Sequence, residues 1–131
     1  MLFGGLDVSA SGLTAERLRM DVIANNLANA QTTQTPGGGP FREQWVVFSP
    51  IPPGPGSPGG VEVTGIVASQ APFPLAYEPG NPAANAQGYV ALPNVNVTAQ
   101  MVDLLAAQQA YAANATAFAD QVSEQQQALK I

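Results

Sequence analysis

The chain has 131 residues and carries four basic and nine acidic residues, which give a formal net charge of −5. So few Lys and Arg side chains cannot displace the counterions of a nucleic acid, and they are attracted only weakly to an anionic membrane, so we expect neither partner. The absence of Cys and His excludes thiolate zinc sites and any nucleophile that His activates, and we expect no metal and no cofactor. The length predicts one domain with a modest core.

The start of the chain and its hydropathy bear on targeting. Residues 1–7 contain no basic residue and end on Asp7, which does not fit the basic and apolar parts of a cleavable signal peptide. No apolar run approaches the roughly 20 residues that cross a bilayer. We expect no membrane insertion and, if the protein leaves the cytoplasm, a route that reads no classical signal peptide.

The N-terminal stretch predicts a helix from Leu6 to about Asn29. Apolar residues recur there at intervals of seven, with Ile23 between them, at Leu6, Leu13, Met20 and Leu27. Gly12 weakens the pattern, and the start of the helix is open because there are three candidate N-caps: Ser9, Ser11 and Thr14. The segment 36–40, PGGGP, ends the helix because no helix can pass through it.

Three Asn residues lie within five positions near the end of this helix: Asn25, Asn26 and Asn29. Asn is a poor helix former, and such a density indicates side-chain amides that bond to neighbouring backbone groups. The alternative at this point is a frayed helix end.

The middle of the chain contains all twelve prolines. Two segments with β-branched and aromatic residues, 41–48 and 61–67, predict a hairpin. Its small core is expected to consist of Trp45, Phe41 and Phe48. The low-complexity segment 49–60 predicts a long, mobile connection. A third short strand is predicted at 75–77, followed by turns at 78–82 and an extended run at 88–96.

The last third of the chain predicts a helix from Thr98 to Leu129, with three candidate caps: Asn94, Asn96 and Thr98. A 3.5-residue repeat runs along it, at Met101, Leu104, Gln108, Tyr111, Ala115, Phe118, Val122, Gln125 and Leu129. Such a helix is about 50 Å long and cannot bury this stripe on itself, so it needs partner helices. Small residues on a second face permit close approach of another helix: Ala106, Ala110, Ala113 and Ala117.

These elements predict a mainly α fold with a β-rich insertion. The long N- and C-terminal helices are expected to pack as an α-helical coiled coil, with a Pro/Gly-rich β-hairpin region between them. We expect the N-terminal helix of a core domain at 1–30, the hairpin and loop region at 31–93, and the C-terminal helix of the core domain at 94–131.

The segment 22–32, VIANNLANAQT, resembles the N-terminal motif shared by bacterial flagellar axial proteins of the rod, hook and hook-junction type. Further motifs follow in the same order as in a proximal-rod member of that family: TPGGGPFR at 35–42, YEPGNP at 77–82, LPNV at 92–95 and QAYAAN at 109–114. The similarity extends along nearly the whole chain. The family often has a His, an acid and an Arg where this chain has Asn81, Gln100 and Gln109.

The resemblance implies a non-enzymatic, structural subunit of the flagellar basal-body rod, whose terminal helices polymerise into a torque-transmitting axle in the periplasm. It implies export through the flagellar type III apparatus without a cleaved signal, and contacts with other rod and basal-body proteins and with copies of itself. We expect subunit-interface residues on both helices: Leu13, Met20, Ile23, Asn25, Asn26, Leu27, Asn29, Met101, Leu104, Gln108, Tyr111, Asn114, Phe118 and Val122. The isolated monomer is expected to have largely unfolded termini that order on polymerisation.

Two other functions stay open at this point. Asp120 and Glu124 lie four apart on one helical face and could form the carboxylate pair of a hydrolase that acts on cell-wall glycan, although a solvated outer face explains them as well. A helical export adaptor that binds other subunits transiently is the second alternative.

Overall fold

The computed structural model describes residues 4–130. Two long helices flank four strands, in the order α1 (Gly4–Ala28), β1 (Gln44–Ile51), β2 (Gly60–Ala68), β3 (Leu75–Tyr77), β4 (Tyr89–Ala91) and α2 (Val97–Leu129). This confirms the predicted order of two terminal helices around a β-containing middle, while the supercoiling of a coiled coil stays a prediction. Neither helix, over the described range, has the length and apolar character that a membrane span requires.

Helix α1 begins at Gly4, ahead of all three residues predicted as N-caps, so that prediction is wrong. Two of the hydroxyl groups bond inside the helix instead. Ser11 Oγ donates to the carbonyl oxygen of Val8 at 2.7 Å, and Thr14 Oγ1 donates to that of Ala10 at 3.1 Å. Because these bonds return to the preceding turn, the residues are accommodated in the helix interior.

Strands β1 and β2 form the predicted hairpin, but both run further than expected and the connection shortens to 52–59. Strand β1 continues through Pro50, which pairs with Val61. The N–H of Val61 points away from β1 and donates to Ser11 Oγ of α1 at 3.1 Å. Pro50 and Val61 therefore form a pair without hydrogen bonds between the two strands. Proline, which has no N–H, breaks no hydrogen bond of the sheet at this position. Strand β2 accommodates one extra residue, Thr64, as a bulge.

The predicted hairpin core is wrong for Trp45. Successive side chains of a strand alternate between its two faces, so Trp45 and Phe48 point to opposite sides. Val63, the cross-strand partner of Phe48, lines a cleft with Ala15 and Leu18 of α1, which identifies the face of the hairpin that packs on the helix. By this alternation Trp45 belongs to the other face; it is 46% exposed, and part of it borders the cleft between β1 and the two helices.

Strands β3 and β4 form a second two-stranded antiparallel sheet. The sequence predicts extended structure at both positions but not the pairing between them. The rings of Tyr77 and Tyr89 meet edge to face, with centroids 5.3 Å apart. In the connecting turn, Asn85 Oδ1 accepts hydrogen bonds from the N–H groups of Gln87 and Tyr89, at 3.0 and 2.9 Å. This local bonding holds the turn while most of the sheet surface stays exposed.

Helix α2 contains 33 residues and no Gly or Pro. Its N-cap is Asn96, one of the three predicted candidates, whose Oδ1 accepts a hydrogen bond from the N–H of Ala99 at 3.0 Å. This bond satisfies one of the amide donors that the first turn leaves free.

Helices α1 and α2 pack antiparallel through small residues and amide side chains. A Cβ atom at Gly5 would lie 2.7 Å from Gln121 Nε2, and one at Gly12 would lie 2.7 Å from Asn114 Oδ1. Gly12, which weakens the helix in the sequence pattern, is therefore needed for close approach. We call this contact the amide seam. Its members recur at multiples of seven residues on each helix: Gly5, Gly12 and Asn26 on α1, and Gln100, Asn114 and Gln121 on α2.

The molecule buries few apolar side chains. Among the described residues the buried apolar ones are Ala15, Val22, Ile23, Val90 and Ala107. The accessible surface is 8388 Å², whereas a compact monomer of this mass exposes about 6,500 Å². The chain therefore leaves an unusually large part of its surface in contact with solvent.

The amide seam yields a first prediction. Replacing Gly by Ala in a helix interior normally raises the free energy of unfolding by roughly 1 kcal/mol. Gly12→Ala alone should not give this gain, because the new methyl group meets Asn114. Combined with Asn114→Ala, the same change should stabilise the helix pair, giving a coupling of about 1–3 kcal/mol between the two positions. Thermal unfolding followed by far-UV circular dichroism, in an osmolyte that favours the compact state, measures it. Additive effects would contradict the seam.

Candidate assembly surfaces

The side chain of Asn26 is fully buried at the junction of α1, β1 and α2. Its Nδ2 donates to the carbonyl oxygen of Gln44 at 2.7 Å and to Gln100 Oε1 at 2.8 Å. Its Oδ1 accepts a hydrogen bond from the N–H of Gln44 at 2.9 Å. A neighbouring strand would make the same pair of bonds to Gln44, so the Asn26 amide serves as a strand partner for the open edge of β1.

The hydrogen bonds continue from Asn26 into the segments around the hairpin. Gln100 Nε2 donates to Glu43 Oε1 at 2.9 Å, and the N–H of Glu43 donates to Asn94 Oδ1 at 2.8 Å. Asn94 Nδ2 in turn donates to the carbonyl oxygen of Ala71 at 3.0 Å. We call the bonds that join Asn26, Gln100, Glu43 and Asn94 the amide clamp. It ties the start of α2, both ends of the hairpin and α1 into one unit.

Sequence reasoning found only part of this clamp. The Asn-rich motif indicates backbone bonding, which the structure shows for Asn29, whose Nδ2 donates to the carbonyl oxygen of Asn25 at 2.9 Å. The bonds of Asn26, in contrast, reach residues 18 and 74 positions away. The sequence does contain one signal: Gln100, Asn114 and Gln121 are separated by multiples of seven residues, as are apolar residues of the neighbouring stripe on α2.

The residues expected at subunit interfaces fall into two groups. Three of them are exposed: Asn25, Met101 and Gln108. The others are buried or half-buried within the chain: Leu13, Met20, Ile23, Asn26, Leu27, Asn29, Leu104, Tyr111, Asn114, Phe118 and Val122. Their role between subunits stays a prediction, and the second group could contribute only the exposed part of each side chain.

Helix α2 has an exposed face without charge. Between Thr98 and Ala119 the one charged residue is Asp103, which is half-buried. We call the exposed residues of this stretch the outer face of α2. It combines large apolar side chains with small ones and a few uncharged polar ones: Met101, Val102 and Leu105 are 54%, 60% and 61% exposed. The other exposed residues include Ala106, Ala112, Ala113 and Ala119 and the polar Thr98, Gln108, Gln109 and Thr116. Solvent-facing helix surfaces normally carry charged and polar residues.

A second apolar surface lies on the hairpin face that points away from α1. Trp45 pairs with Val67 and Val47 pairs with Gly65 across the two strands. The three side chains are 46%, 42% and 37% exposed, in the order Trp45, Val67 and Val47. We call these four residues the outer face of the hairpin. Its area is apolar and open to solvent, which is typical of a surface that another molecule covers.

The carboxylates of the described residues form no metal-binding cluster. Asp120 and Glu124 are both exposed on α2, one turn apart. Nowhere between residues 4 and 130 do three or more Asp or Glu side chains gather in a way that could hold a metal ion. The surfaces that stand out are therefore apolar and amide surfaces suited to contact with proteins.

Two family models match the chain. The model described as "Flagella basal body rod protein" matches residues 6–34, and the one described as "Flagellar basal body rod FlgEFG protein C-terminal" matches residues 86–130. The first covers most of α1 and the Asn-rich motif, and the second covers β4 and α2. The two helices that form the amide seam are therefore the parts that these models describe.

Proteins with the name flagellar basal-body rod protein FlgC are similar to this chain over most of its length. The one from Borreliella burgdorferi is 42% identical, with 88% of this chain and 87% of the relative aligned. The one from Escherichia coli O6:H1 is 48% identical, with 82% of this chain and 81% of the relative aligned. The one from Bacillus subtilis is 43% identical over 88% and 87%.

The amide clamp yields a second prediction. In the same osmolyte, which favours the compact state, Asn26→Leu keeps the branched shape and the number of heavy atoms but removes the partner of the Gln44 N–H, so hydrogen exchange at the Gln44 amide should accelerate about tenfold or more. Asn25→Leu, the same change at the exposed neighbouring position, is the matched control and should leave that amide protected. Equal exchange at Gln44 in the two variants would show that the clamp does not hold β1.

Proposed function

This chain belongs to the family of the flagellar basal-body rod protein FlgC and is a structural subunit of the rod, and we propose that it polymerises there through exposed faces of its terminal helices. The outer face of α2 carries this proposal. A helix that stayed in water would gain solubility from charges at those positions, yet Thr98–Ala119 has none that is exposed. Small residues along the same face allow a second helix to approach closely.

The balance of buried and exposed surface supports assembly-dependent order. A small apolar core and a large accessible area give the single chain little hydrophobic stabilisation. Contacts with neighbours would cover the exposed apolar side chains of α2 and supply the hydrophobic stabilisation that the single chain lacks. We therefore expect the termini of the isolated monomer to be largely unfolded and to order on polymerisation, including the interface residues expected on both helices.

The proposal includes a place and a route. Membership of the rod family supports a position in the periplasmic part of the basal body, contacts with other rod proteins and with copies of itself, and export through the flagellar type III apparatus without a cleaved signal. Helices that pack as a coiled coil in a core domain would transmit torque along the rod. In this role the chain catalyses no reaction.

Neither alternative function gains support. The relatives are named as rod proteins, which does not fit a hydrolase or an adaptor that leaves the structure. Asp120 and Glu124 lie in the open on α2, without the enclosed cleft in which a carboxylate pair would bind glycan.

The outer face of α2 can be tested with one position. Leu105→Asp should reduce the amount of the chain in purified basal bodies at least about tenfold, because it places a charge in a desolvated contact. Leu105→Met retains the apolar volume and is the matched control, expected at the parental level. Quantitative immunoblotting against another rod protein measures both. Normal incorporation of the Asp variant, with normal motility, would count against this interface.

Order on assembly can be tested by comparing two states of the unchanged protein. The two helices contain 25 and 33 residues in the folded chain. Far-UV circular dichroism of the purified monomer should give much less helix than these lengths require, because isolated helices with a small core are marginal in water. Hydrogen exchange in purified basal bodies should show protection along both helices. A monomer that is already fully helical and compact would refute the claim.

A further inference from the structure

The outer face of the hairpin contains a glycine that the fold of the single chain does not need. Gly65 lies in the interior of β2, where Gly weakens a strand. Its φ is not positive, so its backbone conformation is open to other residues. A Cβ atom built at Gly65 would meet nothing within 4 Å. The adjacent bulge at Thr64 does not require it either, since no positive φ occurs there.

We propose that the outer face of the hairpin is a docking surface for the outer face of α2 of a second copy of this chain, with Gly65 as the notch that admits it. Gly inside a strand marks a site where another backbone or a bulky side chain comes close. Here the notch lies opposite Val47 and next to the pair of Trp45 and Val67, which remain half-exposed around it. The surface is apolar at its rim and vacant at its centre.

The occupant is a second copy because the same chain carries the complementary surface. The outer face of α2 presents Val102 and Leu105 as projecting side chains, without charges that would have to be desolvated. Within one molecule the hairpin does not cover this face: Gln100 and Asp103 of α2 line a cleft with β1, whereas Val102 and Leu105 stay 60% and 61% exposed. The contact must therefore form between molecules.

The accessible surface of the whole chain is large enough to include a contact of standard size. The accessible surface exceeds that of a compact monomer of the same mass by more than the about 800 Å² that each partner buries in a standard interface. A contact between two different surfaces of identical chains leaves one surface of each kind free on the pair, so it can repeat, around a ring or along a helical assembly. This inference rests on the proposed polymerisation and specifies which surfaces meet.

Because the chain has no Cys, engineered thiols provide an unambiguous test. A chain with Gly65→Cys is combined with Ala106→Cys or with Ala113→Cys, two positions about 10 Å apart along α2 that allow for its register. Mild oxidation of purified basal bodies should give a ladder of covalent multimers of this chain from one of the two double variants. Chains with only one of the substitutions should remain monomeric.

The outcomes separate this inference from the proposed function. If the double variants are present in basal bodies at the parental level but give no ladder, the docking is wrong and the rod role stands. If they give adducts with a different protein, the second-copy assignment is wrong. If the unchanged chain is itself missing from basal bodies, the proposed function fails.

A second test uses the notch without cross-linking. Gly65→Val adds β-propensity at an open position, so the hairpin of the isolated chain should become more stable while incorporation into basal bodies falls at least about fivefold. Thr64→Val, an isosteric change at the neighbouring residue that loses only the exposed hydrogen bond of Thr64 Oγ1 to the carbonyl oxygen of Val47, should leave incorporation within about twofold of the parent. Hydrogen exchange of β1 amides reports the stability, and immunoblotting reports incorporation. Parental incorporation of Gly65→Val would overturn the proposal.

Discussion

The buried amide of Asn26 fixes how the helices and the hairpin sit together. A side-chain amide has an NH2 donor and an oxygen acceptor, and both are used here. The NH2 group of Asn26 donates to the carbonyl oxygen of Gln44 and to Gln100 Oε1, and its oxygen accepts from the N–H of Gln44. Leaving such groups buried without partners would cost about 1–3 kcal/mol each. Neither helix can slide by one turn without breaking these bonds, so the amide clamp sets the register of the whole molecule.

The amide seam places small and polar residues at positions that are usually apolar in a helix pair. Helices of a stable monomer bury their apolar stripe and expose their polar one. Here Gly12 and Asn114 lie between the helices, whereas Val102 and Leu105 face outward. Close packing at Gly12 and the hydrogen bonds of Asn26 thus hold the helices beside a small apolar core, and large apolar side chains such as Val102 and Leu105 are left for the surroundings. Such a molecule resembles a segment cut from a larger core, with a stability that depends on its neighbours.

The sequence predicts the elements of this fold better than their packing. Hydrophobic periodicity and the PGGGP stop locate both helices, because those signals are local. The same periodicity does not say which of two adjacent seven-residue series lies inside. Leu13 and Gly12 are neighbours on α1, and close approach favours Gly12, whose lack of a side chain is invisible to an apolar count. The large side chain of Trp45 favours a place in the hairpin core, but strand alternation puts it opposite Phe48, and it is 46% exposed. The bonds of Asn26 depend on residues far along the chain, which no local pattern reveals.

The separation of two kinds of contact suits a subunit that is repeated many times in one rod. Hydrophobic contact is non-directional and tolerates small differences in angle between successive neighbours, so it serves between copies, where the outer faces of α2 and the hairpin are available. Hydrogen bonds weaken steeply when their angles change, so the amide clamp resists distortion inside each copy. The clamp also sets the angle between the two outer faces, because it joins α1 to both elements that carry them. On the proposed assembly, the direction in which the rod grows is therefore determined by polar groups that lie entirely within the subunit.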